Sequence, residues 1–421
     1  MMTVLKSITT YKIFIVFFLV RFAFYLFGGS NHLELSADAP RYDVLSNQIL
    51  EGNYNLDIGL FIVAPFYPYF LALIKLLFGS QWIVAFTLIQ IAVASLSGVY
   101  FYKLAKLIFT DERVTNYATL LYAIFPLTLY WTHTVGQESL FQSFLIFTIY
   151  TLVNFLITST YRNLIYSAIL FSFCFLTKSH ILIFSPFIVL SIFIYGKRTL
   201  IQKAYSSVMY GIICLLFTIP YGYYNYKVND VYVLSSNGVE MFFWVGHNKD
   251  SYTYSISPPP MNSEEYKRLQ AMHFEDAEAE YMNKLSHKIK QPIYLQKASK
   301  WIKENPNQYF ELVWYNFIKF MTPGVGINHY TFKKWLLSFL MAFPIYFFGY
   351  IGIFNALKKD FKKHFWVFGL FMTMLFFSVV FYSQTRFRTI TLEPFYILYS
   401  VYGLFVLKQF YQSLKIRQVQ Q

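Results

Sequence analysis

Charge is what this sequence has least of. Only 13% of its 421 residues are Asp, Glu, Lys or Arg, while 56% are hydrophobic and the mean hydropathy is +0.42. Ordinary soluble domains carry roughly 25% charged residues, so that class is excluded and a polytopic membrane protein is left. Cysteine is nearly missing too: Cys174 and Cys214 both fall inside apolar stretches, which excludes a disulfide framework and a cysteine metal cluster. No His, Cys or Asp spacing forms a strong metal signature. Internal repeats and low-complexity linkers are absent, which argues against a transporter built from two related halves. The net charge of +14 would suggest nucleic acid in a soluble chain, but here most basic residues sit in short loops between apolar runs, so no nucleic-acid partner is implied.

Runs long enough to cross the hydrocarbon layer need about 20 residues. Ten are found, near 9–28, 82–108, 114–132, 138–157, 163–178, 180–196, 205–223, 335–356, 364–383 and 389–409. The fifth and sixth are short and separated only by Lys178, Ser179 and His180. With the N-terminus inside, the inner segments hold sixteen Lys and Arg residues and the short outer ones five, namely Arg41, Lys75, Lys178, Arg386 and Arg388. That bias places both termini in the cytoplasm. Lys6 and Lys12 precede the first run, and no small-residue cleavage site follows it, so it reads as a retained helix.

The expected fold class is therefore an all-α polytopic membrane protein of about ten transmembrane helices. It divides into a membrane module over 1–223, an outer-face α-rich region over 224–334 and a second membrane module over 335–421. The first outer loop, 29–81, is expected to carry an interfacial helix near Pro68–Phe78. In the outer region, Met261 to Lys290 has the composition of a solvated helix, with Glu264, Glu265, Lys267, Arg268, Glu275, Asp276, Glu278 and Glu280 on its face. Lys297 to Asn305 reads as another helix, stopped by Pro306, and Tyr309 to Met321 as an amphipathic one lying on the membrane.

Ionisable residues at a bilayer edge are costly and mark sites of function. Ser36 to Asp43 places Asp38, Arg41 and Asp43 in the first outer loop, and Ala64-Pro65-Phe66-Tyr67-Pro68-Tyr69 follows as an aromatic, proline-rich turn. Glu138 lies at the outer start of the fourth run, Lys178 at the outer end of the fifth, and Arg386 and Arg388 before the last. Each has a plainer explanation. An arginine can snorkel to headgroups, Glu138 can complement a helix dipole, Asp57 can be a solvated loop residue, Arg21 can pair with a carboxylate across the bundle, and His133 can be an interfacial hydrogen-bonding residue. Their placement on one face is more telling than any member.

At these positions the chain resembles the multi-spanning C-type glycosyltransferase superfamily, specifically family 39-like enzymes such as the protein O-mannosyltransferases and the lipid A aminoarabinose transferase. The likeness rests on Asp38-Ala39-Pro40-Arg41-Tyr42, on the 64–73 turn, on Gln137-Glu138-Ser139-Leu140 and on Phe175-Leu176-Thr177-Lys178. It continues through Ser236-Asn237-Gly238 with Gly246-His247-Asn248, Asn305-Pro306, and Arg386-Phe387-Arg388 before Pro394. Glu393 departs from the usual apolar residue, and Ala64 stands where a basic or small residue is common.

The resemblance implies inverting transfer of a sugar from a polyprenyl-phosphate carrier to a lipid, glycan or protein acceptor on the outer face, with the bacterial inner membrane as the working location. Asp38 is assigned as general base, with Glu138 orienting the acceptor. Arg386, Arg388 and Lys178 are assigned to the donor phosphate, and Arg41, Tyr42, Tyr67, Asn237 and Asn248 to a substrate loop. No cofactor is required by the sequence, and a divalent metal ion on Asp38 and Glu138 stays open. A lipid-linked glycan polymerase or ligase is the alternative enzyme, and a polytopic transporter or flippase the non-enzyme one.

Overall fold

The structure, a computed structural model, describes residues 10–28, 38–195, 198–270, 281–326, 330–381 and 383–419. The expectations placed on Ser36, Ala37, Lys6, Glu275, Asp276, Glu278 and Glu280 lie outside these. Among the described residues the chain is helical throughout, its single β-bridge pairing Asp57 with Ile62 in a tight hairpin.

The first membrane module contains α1 (Thr10–Gly28), α2 (Ala39–Leu50), α3 (Phe66–Phe78), α4 (Trp82–Ile108), α5 (Glu112–Ile124), α6 (Pro126–Thr132), α7 (Glu138–Thr158), α8 (Tyr161–Thr177), α9 (Ser185–Tyr195) and α10 (Leu200–Asn229). The outer region carries α11 (Val239–Gly246), α12 (Lys249–Ile256), α13 (Glu264–Gln270), α14 (His287–Glu304) and α15 (Pro306–Met321). Then come α16 (Phe332–Lys359), α17 (Phe361–Val380), the short α18 (Thr385–Thr391) and α19 (Glu393–Val419). A helix stands where one was expected at Pro68–Phe78, as α3, but it runs on into α4 as one apolar stretch; the helix expected over Lys297 to Asn305 begins earlier, as α14, and the one expected over Tyr309 to Met321 is α15.

Among the described residues six helices, α3 and α4 counted as one, are long and apolar enough to cross a membrane, and α18 with α19 makes a seventh span if that pair, bent by 62°, is taken as one. The other three of the ten apolar runs are helical but short or interrupted. The 114–132 run breaks at Phe125 because Pro126 has no N–H to continue the α5 ladder and disfavours helical geometry in the residue before it. The 163–178 run is the 17-residue α8, and 180–196 opens as a 3-10 turn over Ser179–Phe184 before α9. Runs packed among other helices do not need a full lipid-spanning length, because protein rather than hydrocarbon surrounds their polar ends.

One apolar core fills the bundle, gathering Phe101, Phe141, Ile146, Leu152, Ala168, Trp366, Leu370 and Tyr399. A second lies at the outer end, where Tyr42, Leu45, Ile62, Tyr67 and Leu71 meet Met241 and Tyr294 of the outer region. The closest helix pair is α16 with α19. A Cβ on Gly352 would run into the Tyr399 carbonyl, and one on Gly403 into that of Phe348, so both positions exist to let two backbones touch. Gly403→Val is expected to destabilise the folded protein by about 3 kcal/mol or more, the upper range for overpacking. Fluorescence-detected size-exclusion after graded heating, compared with Gly211→Val in an open position, reads the difference.

Candidate active site

The end of the bundle that meets the outer region gathers four side chains from four distant parts of the chain. Asp38 is the residue before α2, where Pro40 presets the first turn. Its carboxylate makes no capping bond. Arg386, second residue of α18, donates from Nη1 to Asp38 Oδ2 at 2.6 Å, and the same nitrogen lies 3.6 Å from Glu138 Oε1. Glu138 opens α7 after Gln137. Lys178, extended just beyond the last turn of α8, donates to Glu138 Oε1 at 3.0 Å. Arg41, one turn after Asp38, stands 3.6 Å from Asp38 Oδ1.

The Glu138 and Lys178 side chains are only 2% and 3% exposed, so neither charge could remain here without the other. Asp38 is 18% exposed. Burial works to raise its pKa, but the Arg386 guanidinium, by charge and hydrogen bond, together with Arg41 and Lys178, holds the carboxyl below its usual range.

Aromatic groups and one amide hold the ions in place. The Phe387 ring faces both Lys178 (5.2 Å) and Arg386 (5.6 Å). Tyr42 packs edge-on against Tyr67 at 4.6 Å, both fully buried, and the Tyr67 hydroxyl has no partner. With the Gln137 amide oriented to suit its neighbours, its oxygen accepts from Lys178 Nζ at 3.1 Å and from the Tyr42 hydroxyl at 2.9 Å, while its nitrogen donates to the Thr177 carbonyl. Asp38, Glu138, Arg386, Lys178, Arg41, Tyr42 and Tyr67 thus form one site.

Three assigned residues lie elsewhere. Arg388 is buried, and its guanidinium donates to the carbonyls of Lys319 (3.1 Å), Phe320 (2.5 Å), Thr322 (2.6 Å) and Gly324 (2.9 Å) beneath the Tyr346 ring. It caps the C-terminus of α15, whose last carbonyls have no helical partner, and so is not a phosphate ligand. Residues two apart on a helix face opposite ways, so Arg386 and Arg388 could not both reach the cluster. Asn248 caps α12 through a reciprocal pair with Ser251 and donates to the Trp244 carbonyl. Asn237 accepts from the Ile62 N–H at 2.6 Å and fastens the outer hairpin. Both are framework residues rather than substrate contacts.

The alternatives resolve similarly. Asp43 pairs with Lys75 at 2.7 Å across α2 and α3. Arg21 pairs with no carboxylate among the described residues and lies against Phe17 and Tyr122. His133 bridges the carbonyls of Leu129 and Arg21. Two residues at the site went unassigned by sequence reading. Gln137 was visible only as a motif neighbour. His180, whose ring lies among Phe141, Phe377 and Phe387, gave no signal beyond its place next to Lys178.

The two carboxylates already face three fixed cations, and among the described residues no group of three or more His, Cys, Asp or Glu side chains could hold a metal. The arrangement suits an anion: three cations against two carboxylates leave one positive charge uncompensated.

Residues 63–224 match the family model described as dolichyl-phosphate-mannose-protein mannosyltransferase, a stretch that includes Tyr67, Glu138 and Lys178. No curated protein matches the sequence. Among solved structures, the chain resembles the archaeal oligosaccharyltransferase AglB from Archaeoglobus fulgidus in complex with an inhibitory peptide and a dolichol-phosphate, at 15% identity and a TM-score of 0.52 over 97% of this chain and 52% of that one. The apo oligosaccharyltransferase of the same organism matches at 13% identity with a TM-score of 0.57, again over 97% and 52%. The form tethered to an acceptor peptide matches at 14% and 0.54, over 98% and 51%. The chain thus spans about half the length of these structures and shares their fold over that part.

The two arginines separate cleanly by experiment. Arg388→Ala leaves four buried carbonyls without a donor and is expected to cost about 3 kcal/mol or more in stability. Arg386→Ala, at the partly exposed edge of the site, is expected to keep the fold and lose function. Thermal unfolding of both variants in nanodiscs compares them.

Proposed function

We propose, on the premise of this C-type glycosyltransferase fold, that the protein is an inverting glycosyltransferase. It moves one sugar from a polyprenyl-phosphate carrier to the hydroxyl of a lipid, glycan or protein acceptor at the outer face of a membrane. The bacterial inner membrane with both termini in the cytoplasm is the setting we favour. The observation that carries the reading is the contact of Arg386 with Asp38 and Glu138 at once: a base and a phosphate ligand joined before any substrate arrives.

The charges balance through such a reaction. The empty cluster holds one net positive charge, and a sugar-phosphate diester brings one negative charge. As the acceptor oxygen attacks the anomeric carbon, its proton passes to Asp38, and the bond from that carbon to the phosphate oxygen breaks. The phosphate gains a second negative charge as Asp38 loses its own. Arg386 and Lys178 then neutralise the leaving group where its charge develops. Asp38 is a weak base while Arg386 holds it, and an incoming phosphate competes for Arg386 and frees the carboxylate. Glu138 keeps Lys178 in place and completes the acceptor side.

Asp38→Asn is the test. In folded membrane preparations supplied with a panel of radiolabelled polyprenyl-phosphate sugars, transfer should fall about a thousandfold, within the range of general-base catalysis. Undiminished transfer would remove Asp38 as the base. Because kcat/KM reports the free enzyme, its acid limb should lie below pH ~4, the ordinary carboxylate range. Protonation as pH falls through the depressed Asp38 pKa is what closes the window.

A further inference from the structure

Like the Tyr67 hydroxyl, Nε2 of His180 is buried with no hydrogen-bond partner among the described residues. His180 is the second residue of the 3-10 turn Ser179–Phe184, which opens directly after Lys178. Its ring is held among three phenylalanines, with centroids 5.4 Å from Phe141, 5.1 Å from Phe377 and 5.1 Å from Phe387. Buried polar atoms are almost always bonded, and one left bare costs folding stability. Phenylalanine rings carry no polar atom that could bond it. A lone water fares no better here, because it needs two to four polar partners of its own.

The other neighbours of Phe387 point to the partner that suits this atom. Lys178 Nζ stands 5.2 Å and the Arg386 guanidinium 5.6 Å from the centroid of that same ring, and both charges act on the imidazole. The extended backbone of Lys178 between α8 and the turn lets two residues so close in sequence reach one ring. With its proton on Nε2, the imidazole is a third donor beside two cationic ones. Three donors gathered around one ring, in a cluster with one positive charge to spare, fit an anion that carries several acceptor oxygens.

We infer that the His180 Nε2–H binds the phosphate ester of the donor, beside Arg386 and Lys178. This rests on the glycosyltransferase reading above and adds a substrate-binding residue to it. The choice of a histidine follows from the work given to Asp38. A further fixed cation would stabilise the Asp38 carboxylate still more and weaken it as a base. A neutral imidazole holds the phosphate by a hydrogen bond and leaves that balance untouched.

Full-length protein in phosphatidylcholine nanodiscs is titrated with a polyprenyl phosphate, the carrier without its sugar, and binding is read as the rise in thermal midpoint. His180→Phe keeps the ring packing and deletes the donor. Without ligand it should unfold at or above the wild-type midpoint, because an apolar ring replaces a bare buried polar atom. Its affinity for polyprenyl phosphate should fall about tenfold, the loss expected for a hydrogen bond to a charged group. His180→Gln, which keeps an N–H donor at similar reach, should recover most of that affinity. A residue needed only for packing gives the reverse pattern, a lower ligand-free midpoint with unchanged affinity, and that result overturns the assignment. Wild-type affinity in His180→Phe overturns it too, as does failure of His180→Gln to recover any. Phosphatidylglycerol nanodiscs and inorganic phosphate test the source of the anion. Stabilisation by either that depends on His180, with none from polyprenyl phosphate, keeps the anion contact and overturns the donor reading. A wild type that binds none of the three overturns the contact itself.

Discussion

Two carboxylates placed at the end of an apolar bundle cannot stay ionised unless cations stand beside them, and this constraint organises the molecule. Burying one charge costs several kcal/mol, and removing one partner of a buried pair costs about 3–5 kcal/mol. Glu138 and Lys178 are almost wholly enclosed, so their contact must be made whenever the protein is folded. Arg386 then links that pair to Asp38, the more exposed of the two acids. The result is a graded cluster with a fixed inner pair, a shared arginine and an outer carboxylate that a substrate can reach.

That cluster dictates how the ends of the helices are built. Each member sits where a helix begins or stops: Asp38 before α2, Glu138 at the head of α7, Lys178 just past α8 and Arg386 at the head of α18. Helix termini leave backbone groups unpaired and side chains free to point along the axis, so the site is assembled from ends rather than faces. The break at Leu392 between α18 and α19 is part of the same arrangement. A continuous helix would carry Arg386 onward along the axis of α19, whereas the 62° bend turns it across the bundle toward Asp38.

Much of this was legible in the sequence because membranes sort charge. Apolar runs and the Lys and Arg bias point to loops that share a face, and the sequence places Asp38, Glu138, Lys178 and Arg386 all on it. Arg388 belongs elsewhere: its two-residue offset from Arg386 turns it to another side of α18, where the carbonyls at the end of α15 take its hydrogen bonds. Asn248 looked like a substrate residue, yet Asn three residues before Ser at the start of a helix is a capping pattern. The pairing of His287 with Asp57 was hidden for a different reason. It joins positions 230 residues apart through a helix in the outer region, and nothing in either local sequence marks the partner.

The framework residues bear on the base role proposed for Asp38. Asp38 faces a guanidinium at 2.6 Å, which stabilises its charge and so reduces its appetite for a proton. A phosphate that draws Arg386 away raises that appetite only if the carboxylate stays where it is while its partner leaves. Asp38 is anchored by its own helix: Tyr42, one turn on, is buried against Tyr67 and bonded to Gln137. Tyr67 in turn sits on α3, whose approach is set by the hairpin that the outer region holds at Asp57, Gly59, Leu60 and Ile62. The polar network around the hairpin thus holds in place the residues on which the proposed ion-pair exchange depends.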